Sequence, residues 1–169
     1  MSFLINSYMV TAPESTWEQT SQSSQQALDP KIISLKMLSG FEVIGNVISE
    51  VKWYLKVSEG TPTGTIQCKI VSSDGAELLA SSETLAMPTS GSFTYFTFSS
   101  FVNEEGFDGT ILANFYVLIQ TTYTSTGSAI GLGVNEADVA YTEQWKGLGG
   151  AYVTSQLAGQ TPTMAITYV

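Results

Sequence analysis

The chain has 169 residues, of which 15 are acidic and 6 are basic, so its formal net charge is −9. This excess of acid disfavours binding to nucleic acid or to an anionic membrane, because both need clustered Lys or Arg. The chain has no histidine and a single cysteine, which excludes an intrachain disulfide and the common His-dependent catalytic and metal sites. With 43% hydrophobic residues, the length suits one domain with a sizeable core.

Residues 1–27 are predicted to form an N-terminal arm, and residues 28–169 the folded domain. The arm opens with the apolar stretch MSFLINSYMV, whose Phe3 and Ile5 are candidate interface residues, and continues with the polar run STWEQTSQSSQQ. For Trp17, within that run, two interpretations stay open: insertion into a neighbouring molecule, or packing on the chain's own domain. The opening has no basic region and no long apolar run, so neither a signal peptide nor a transmembrane helix is expected.

The stretch from Val47 to Val71 carries the clearest β pattern. Apolar residues alternate with polar ones in VISEVKWYLKV and again in TIQCKIV, and successive side chains of a strand lie on opposite faces. The residues expected to face the core are Val47, Ser49, Val51, Trp53, Leu55, Val57, Ile66, Cys68 and Ile70. Gly60, Pro62 and Gly64 favour a turn between the two runs, so the sequence predicts a β-hairpin with a long loop. Cys68 is then a buried structural thiol.

The other segments predict further strands separated by turns. IISLKML opens the domain, FEVI is a short strand or a bend, SSDG is a tight turn, and AELLASSETL is a strand or a helical turn. FTYFTFSSF is a strand, TILANFYVLIQTTY a central strand covered on both sides, AIGLGV an irregular or edge segment, and MAITYV the last strand. Residues 135–163 are expected to hold loops at one end. About eight strands without a convincing helix predict an all-β fold, an antiparallel two-sheet β-sandwich with jelly-roll topology.

The order of these segments resembles a family of jelly-roll modules found in extracellular, anchored and viral structural proteins. The matching pieces, which span roughly residues 31–169, are VKWYLKVSEGTPTGTI, SSDG, FTYFTFSS, DGTILANFYVLIQ and AITYV. The opening MSFLINSY resembles the starts of small structural proteins in tailed-virus genomes. These resemblances imply a sandwich that binds or decorates rather than one that turns over a substrate. They also imply a trimer or higher homo-oligomer with arms that cross to neighbouring subunits.

Two acidic segments are candidates for a metal site. Glu104, Glu105 and Asp108 lie within one turn, and carboxylate oxygens close in sequence are the ligands that calcium prefers. A second, weaker group comprises Asn135, Glu136 and Asp138. The alternative for both groups is a set of solvated turn residues. No complete calcium-loop spacing is present, so no cofactor is expected beyond this candidate calcium ion, and no catalytic residue is assigned.

Aromatic residues are the candidates for ligand binding. Tyr54, Tyr95, Tyr123, Tyr141, Trp145 and Tyr152 either form a sugar-stacking platform or a protein interface, or pack on the sheets. Tyr141, Trp145 and Tyr152 are the preferred ligand-binding set, because they lie in predicted loops. Trp145 stands out because it is followed by Gly147, Gly149 and Gly150, where burial in the chain's own core is least assured.

Three functions follow from these observations. The first is a non-enzymatic virion structural protein, a decoration or fibre-type subunit made in the host cytoplasm, which contacts itself and other capsid or virion proteins. The alternative is an extracellular or cell-surface carbohydrate-binding or adhesion module that uses the loop aromatics. The third is a metal-assisted hydrolase built on the acidic turns. Nucleic acid and membrane insertion are not expected for any of them.

Overall fold

The computed structural model describes residues 12–28, 32–122, 129–137, 139–147, 152–153 and 155–169. In these ranges the chain forms fourteen β-strands and no helix. The strands are β1 (Ser15–Gln19), β2 (Ser24–Ala27), β3 (Ile32–Met37), β4 (Ile48–Glu59), β5 (Thr65–Val71), β6 (Leu78–Ala86), β7 (Thr94–Phe98), β8 (Val102–Asn103), β9 (Tyr116–Thr121), β10 (Ala129–Asn135), β11 (Thr142–Gly147), β12 (Ser155–Gln156), β13 (Thr161–Pro162) and β14 (Met164–Tyr168).

The strands form two antiparallel sheets, which confirms the prediction of an all-β, two-sheet sandwich. In the first, called sheet A, the long strand β4 pairs along one edge with β14 and then with β10, and along its other edge with β7. The outer neighbours of β14 and β10 are β1 and β2. The second, sheet B, has the order β12-β11-β3-β9-β5-β6-β8.

The core lies between the two sheets. Trp53 and Phe98 of sheet A are among its largest fully buried side chains, and Leu35, Ile66 and Ile119 of sheet B belong to the same cluster. Cys68 is also fully buried there, as its inward position in β5 predicted. Burial of apolar area from both sheets is the main stabilising contribution in such a sandwich.

The predicted hairpin between residues 47 and 71 is wrong, although both strands exist. β4 belongs to sheet A and β5 to sheet B, so the loop around Pro62 carries the chain from one sheet to the other. Alternation of apolar and polar residues shows only that each strand has one buried face. It does not distinguish two strands that pair with each other from two strands that face each other across a core.

The inward face of β4 also changes parity near its start. Val51, Trp53 and Leu55 are buried as predicted, but Ile48 is buried in place of Val47, which is 39% exposed. The pairing with β14 shifts register between Thr167 and Tyr168, opposite this point. An irregularity of this kind gives one strand an extra residue and reverses which side chains face inward.

The described part of the predicted arm is built into sheet A. β1 pairs with β14 over five residues, and β2 pairs with β10. Trp17 lies edge-on to Phe41 of the same chain, with ring centroids 5.0 Å apart. The interpretation that Trp17 packs on its own domain is therefore the one the structure supports. Phe3 and Ile5 lie outside the described residues.

The prediction for AIGLGV is also wrong, because this segment forms the interior strand β10 between β4 and β2. Its glycines allow neighbouring side chains to lie close over the strand. A Cβ placed on Gly131 would stand 2.5 Å from Ser58 Oγ, and one on Gly133 would stand 3.0 Å from Tyr54 Cδ1. Glycine in a strand marks such close approaches as well as irregular backbone.

The central strand is shorter than predicted, because β9 covers residues 116–121 of the predicted 110–123, whereas the last strand follows the prediction. In β9, Val117 and Ile119 face the core, while Tyr116 and Leu118 are buried in a second apolar cluster on the outer face of sheet B. In β14, Met164 and Ile166 are fully buried. The segment 135–163 is not all loop, because it contains β11 and the short strands β12 and β13.

Candidate functional site

Tyr141 is the most unusual of the predicted ligand-binding residues. It is 55% exposed, and its backbone has a φ of 63°, in the left-handed region. Its ring lies against Gly40, where an added Cβ would stand 2.9 Å from Tyr141 Cε1. The Leu38 backbone N–H donates to the Tyr141 carbonyl at 2.8 Å. Exposed residues that a fold holds in a sparsely populated conformation are concentrated at functional sites.

Two surface hollows adjoin Tyr141. The first, of about 320 Å³, is lined by Trp17, Gly40, Phe41, Glu42, Val139, Ala140 and Tyr141. The second, of about 460 Å³, is lined by Leu38, Val139, Ala140, Tyr141, Thr142, Glu143 and Gln156. Tyr141 therefore borders both hollows, one with the aromatic side chains of Trp17 and Phe41 and the carboxylate of Glu42, the other with the side chains of Glu143 and Gln156. Both hollows are shallow and open to solvent.

Trp145 does not lie in a loop, contrary to the prediction. It is on β11, where it pairs with Ser34 of β3, and it is half-buried on the outer face of sheet B. Its indole Nε1 donates to Glu143 Oε2 at 3.0 Å, and its ring lies edge-on to Tyr116. These contacts occupy much of the side chain within the fold.

Lys36 completes this group on the outer face of sheet B. Its Nζ lies 5.5 Å from the ring centroid of Trp145, 5.6 Å from that of Tyr116 and 3.9 Å from Glu143 Oε2. An ammonium over aromatic faces is attracted by the ring quadrupoles. The lysine, the two rings and the carboxylate therefore satisfy one another, and the group stabilises the sheet.

Tyr152 packs against the same outer cluster as Trp145, over Ile32, Val71, Tyr116 and Leu118. Lys69 Nζ lies 5.4 Å from the Tyr152 ring centroid. The structure thus brings Trp145 and Tyr152 together as a covered apolar cluster. Tyr141 is connected to it through Glu143, which lines the second hollow and also accepts the hydrogen bond from Trp145.

The predicted calcium ligands are not assembled into a site. Glu104 and Glu105 are exposed, and Asp108 accepts a hydrogen bond from the Thr110 backbone N–H at 2.8 Å. This bond holds the pKa of Asp108 below its usual value. Among the described residues, no group of three or more His, Cys, Asp or Glu side chains is placed to hold a metal ion. Of the second acidic group, Asp138 lies outside the described residues.

An aromatic row on the outer face of sheet A includes two of the aromatics named from sequence. Tyr54 stacks on Phe93 with ring centroids 5.0 Å apart, and it contacts the tilted ring of Tyr95 at 4.8 Å; Tyr95 is 44% exposed. Lys56 Nζ lies 4.8 Å from the Phe93 ring centroid. Cross-strand register sets this row, since Tyr54 pairs with Tyr95. The sequence shows which side chains of β4 and of β7 share a face, but it does not show that these two strands pair.

Glu83 was not recognised in the sequence as a special carboxylate. It lies on β6 of sheet B, and its two oxygens accept the backbone N–H groups of Ser99 and Ser100, each at 3.0 Å. Partial burial pushes the pKa of Glu83 upward, but the two donors outweigh it and the pKa is lowered. The carboxylate thereby holds the segment that follows β7 of sheet A beside sheet B.

Apolar side chains are exposed at the end of the molecule where the C-terminus lies. Val47 and Val169 exchange two backbone hydrogen bonds of 3.0 Å, and Val169 is 39% exposed. A hollow of about 610 Å³ is lined by Ala12, Pro13, Glu14 and Val169. The stretch 110–112 runs beside Val47, and Leu112 within it is 55% exposed.

Comparisons with known proteins find no matching family model, no matching curated protein and no matching solved structure. No helix with the length and apolarity to cross a membrane is found among the residues that the structure describes.

Proposed function

We propose that the protein is a non-enzymatic virion structural protein, a decoration or fibre-type subunit that assembles with copies of itself and with other virion proteins. We further propose that its two sheets are connected as a jelly roll. The chain order supports this topology, because consecutive strands change sheets repeatedly: β3, β4 and β5 lie in sheets B, A and B, and so do β9, β10 and β11. Frequent crossing between sheets is typical of Greek-key and jelly-roll sandwiches.

The exposed apolar end carries the proposal of assembly. Val47, Leu112 and Val169 are exposed there, beside the hollow bordered by residues 12–14. Exposed apolar surface of this kind is typical of contacts between subunits. Residues 1–11, which include Phe3 and Ile5, join the described chain at this hollow. In this proposal they and the apolar end make the contact with a neighbouring subunit, in a trimer or larger ring.

The test is the mass of the purified chain in solution, measured by light scattering with and without residues 1–11. The deletion must stop before Ser15, because removal of β1 and β2 would also strip sheet A of its outer strands. The expected result is an assembly that dissociates on deletion. A mass that stays the same in the shortened chain would contradict the role of this segment.

A matched pair of variants tests the apolar end itself. Leu112→Ser should weaken assembly, because it places a hydroxyl in the proposed contact. Val102→Ser is the control, since Val102 is 69% exposed and lies on β8. Equal assembly of the two variants would show that Leu112 is an ordinary surface residue.

Tyr141 favours a second candidate function, binding of a carbohydrate. Its exposed ring and the hollow with Glu143 and Gln156 combine a stacking surface with hydrogen-bonding groups. Sugars need both, because their rings have apolar faces and polar edges. A screen against immobilised glycans should then give binding that Tyr141→Ala abolishes and Tyr95→Ala preserves. A screen without binding would remove this candidate.

A further inference from the structure

β7 forms an edge of sheet A that lacks the usual protection. It pairs with β4 on one side, and no other strand among the described residues pairs with it. Its sequence TYFTF has high β propensity and contains no charge, proline or glycine. Natural edge strands are usually very short, bulged or charged, because an open edge pairs readily with another strand.

Several other edge strands of the described sheets are protected in these ways. β1 carries the exposed Glu18, and residues 20–23 interrupt the edge between β1 and β2. The edge strands of sheet B, β8 and β12, have two residues each. Unlike these strands, β7 has five consecutive uncharged residues of high β propensity and none of these protecting features.

We propose that β7 pairs with β7 of a second copy, antiparallel and about a two-fold axis, so that sheet A continues from one subunit into the next. This inference deepens the proposed assembly function and rests on it. With the axis at Phe96, Tyr95 of each copy lies opposite Thr97 of the other. Aromatic residues opposite β-branched ones are favourable cross-strand pairs. A two-fold contact uses the same surface on both copies.

Electrostatics favours a second copy as the occupant of this edge. The chain carries a net charge of −9, so most of its surface repels another copy. β7 brings no charge to the contact. The nearest lysine on the adjacent strand is Lys52, which pairs with Glu50 at 2.8 Å. The β4 strands of the two copies would lie roughly 14 Å apart, three strand spacings, which exceeds the screening length of about 8 Å at physiological salt.

Tyr95 supplies side-chain surface for the same contact. It is 44% exposed although its ring contacts that of Tyr54. An exposed tyrosine beside an open backbone edge gives a partner strand both hydrogen-bonding groups and an aromatic surface to cover. Glu83 anchors the end of the strand by accepting from Ser99 and Ser100, so the edge is held in a fixed position before it binds.

The experiment compares Thr97→Lys on β7 with Thr16→Lys on β1, the opposite side of sheet A. Both replace threonine by lysine on an outer strand, but only the first places charge in the proposed contact. Sedimentation is measured from roughly 1 to 100 µM protein, which covers a micromolar dissociation constant. We expect Thr97→Lys to weaken self-association at least about tenfold and Thr16→Lys to leave it unchanged. Thr94→Lys, at an exposed position of β7, replaces Thr97→Lys if that variant does not fold.

The outcomes separate this inference from the proposed function. An assembly that survives both β7 variants but dissociates when residues 1–11 are deleted would overturn the β7 pairing alone. An assembly that depends on β7 and not on residues 1–11 would support the pairing and contradict the role of the N-terminal segment. A wild-type chain that stays monomeric throughout would overturn both.

Discussion

Replacing Trp53 by alanine should destabilise the protein more than any surface substitution. Trp53 lies near the middle of β4, pairs with Phe96 and Met164 on the two neighbouring strands, and is 0% exposed. The substitution removes an indole from between the two sheets. Since both sheets meet there, neither can close the cavity without moving the other.

The expected loss can be bounded from the structure. Truncation of a buried tryptophan costs about 3–5 kcal/mol. The indole Nε1 of Trp53 has only the Cys68 thiol as a partner, and because sulfur is a weak acceptor, the wild type keeps part of the penalty of about 1–3 kcal/mol for an unpaired buried N–H. Because alanine also removes this penalty, we expect a loss near the lower limit, about 3 kcal/mol. For a chain of this length, that corresponds to a fall in Tm of roughly 6–12 °C.

Chemical and thermal unfolding, followed by circular dichroism, measure this loss. Trp53→Phe is a matched variant, which keeps most of the apolar volume and should cost about 1 kcal/mol. Trp145→Ala provides the comparison for a half-buried indole and should cost less than Trp53→Ala. A fall in Tm below about 2 °C for Trp53→Ala, or a larger fall for Trp145→Ala, would refute the reasoning.

Three further predictions concern Glu83, Cys68 and Gly40. The pKa of Glu83 is lowered in the fold, so its stabilisation is present above the unfolded value of about 4.3 and is lost as pH falls through the folded value. Glu83→Gln should therefore lower the free energy of unfolding by about 1 kcal/mol at neutral pH and have no effect in acid. A difference between wild type and variant that does not change with pH would contradict this. Burial raises the pKa of the Cys68 thiol to about 12, so a thiol reagent at pH 8 should react only after unfolding, and rapid reaction of the folded chain would contradict its burial. Gly40 has a φ of 97° and no room for a Cβ beside Tyr141, so Gly40→Ala should lower the free energy of unfolding by about 2 kcal/mol. The control is Gly91→Ala, which has nothing within 4 Å of the added Cβ and should cost little. Equal losses in thermal unfolding would contradict the strain at Gly40.

Sequence reasoning located strands well where one face is buried against the core. The alternation of Val51, Trp53 and Leu55 in β4 and the burial of Cys68 in β5 follow directly from the period of a strand. The long apolar run that contains β9 indicated a strand covered on both faces, which is confirmed. These features depend on local geometry, which the order of residues contains.

The partners of each strand were less accessible to prediction. β4 and β5 are neighbours in sequence but lie in different sheets. The polar run around Trp17 has the composition of a free arm, yet its described part adds two strands to sheet A. The free energy of strand pairing comes from backbone hydrogen bonds and from contacts with distant segments. The composition of one segment does not reveal which distant segment supplies them.

The candidate sites divide in the same way. Tyr141 was identified from its residue type and position, but the first hollow beside it depends on Gly40 and Trp17, which are distant in sequence. Trp145 was expected in a loop because glycines follow it. Its place on β11, beside Lys36 and Tyr116, comes from the register of sheet B.

The sequence by itself determined the fold class, the inward residues of the regular strands and the exclusion of disulfide and histidine chemistry. Each of these depends on residue type or on a period of two along one segment. Only the tertiary structure decided which sheet each strand joins, which aromatics pack within the fold, and that no described strand pairs with the outer edge of β7. These three features depend on which distant segments bury one another's apolar faces. Many strand pairings are compatible with the same local pattern, and only packing of the whole core selects one of them.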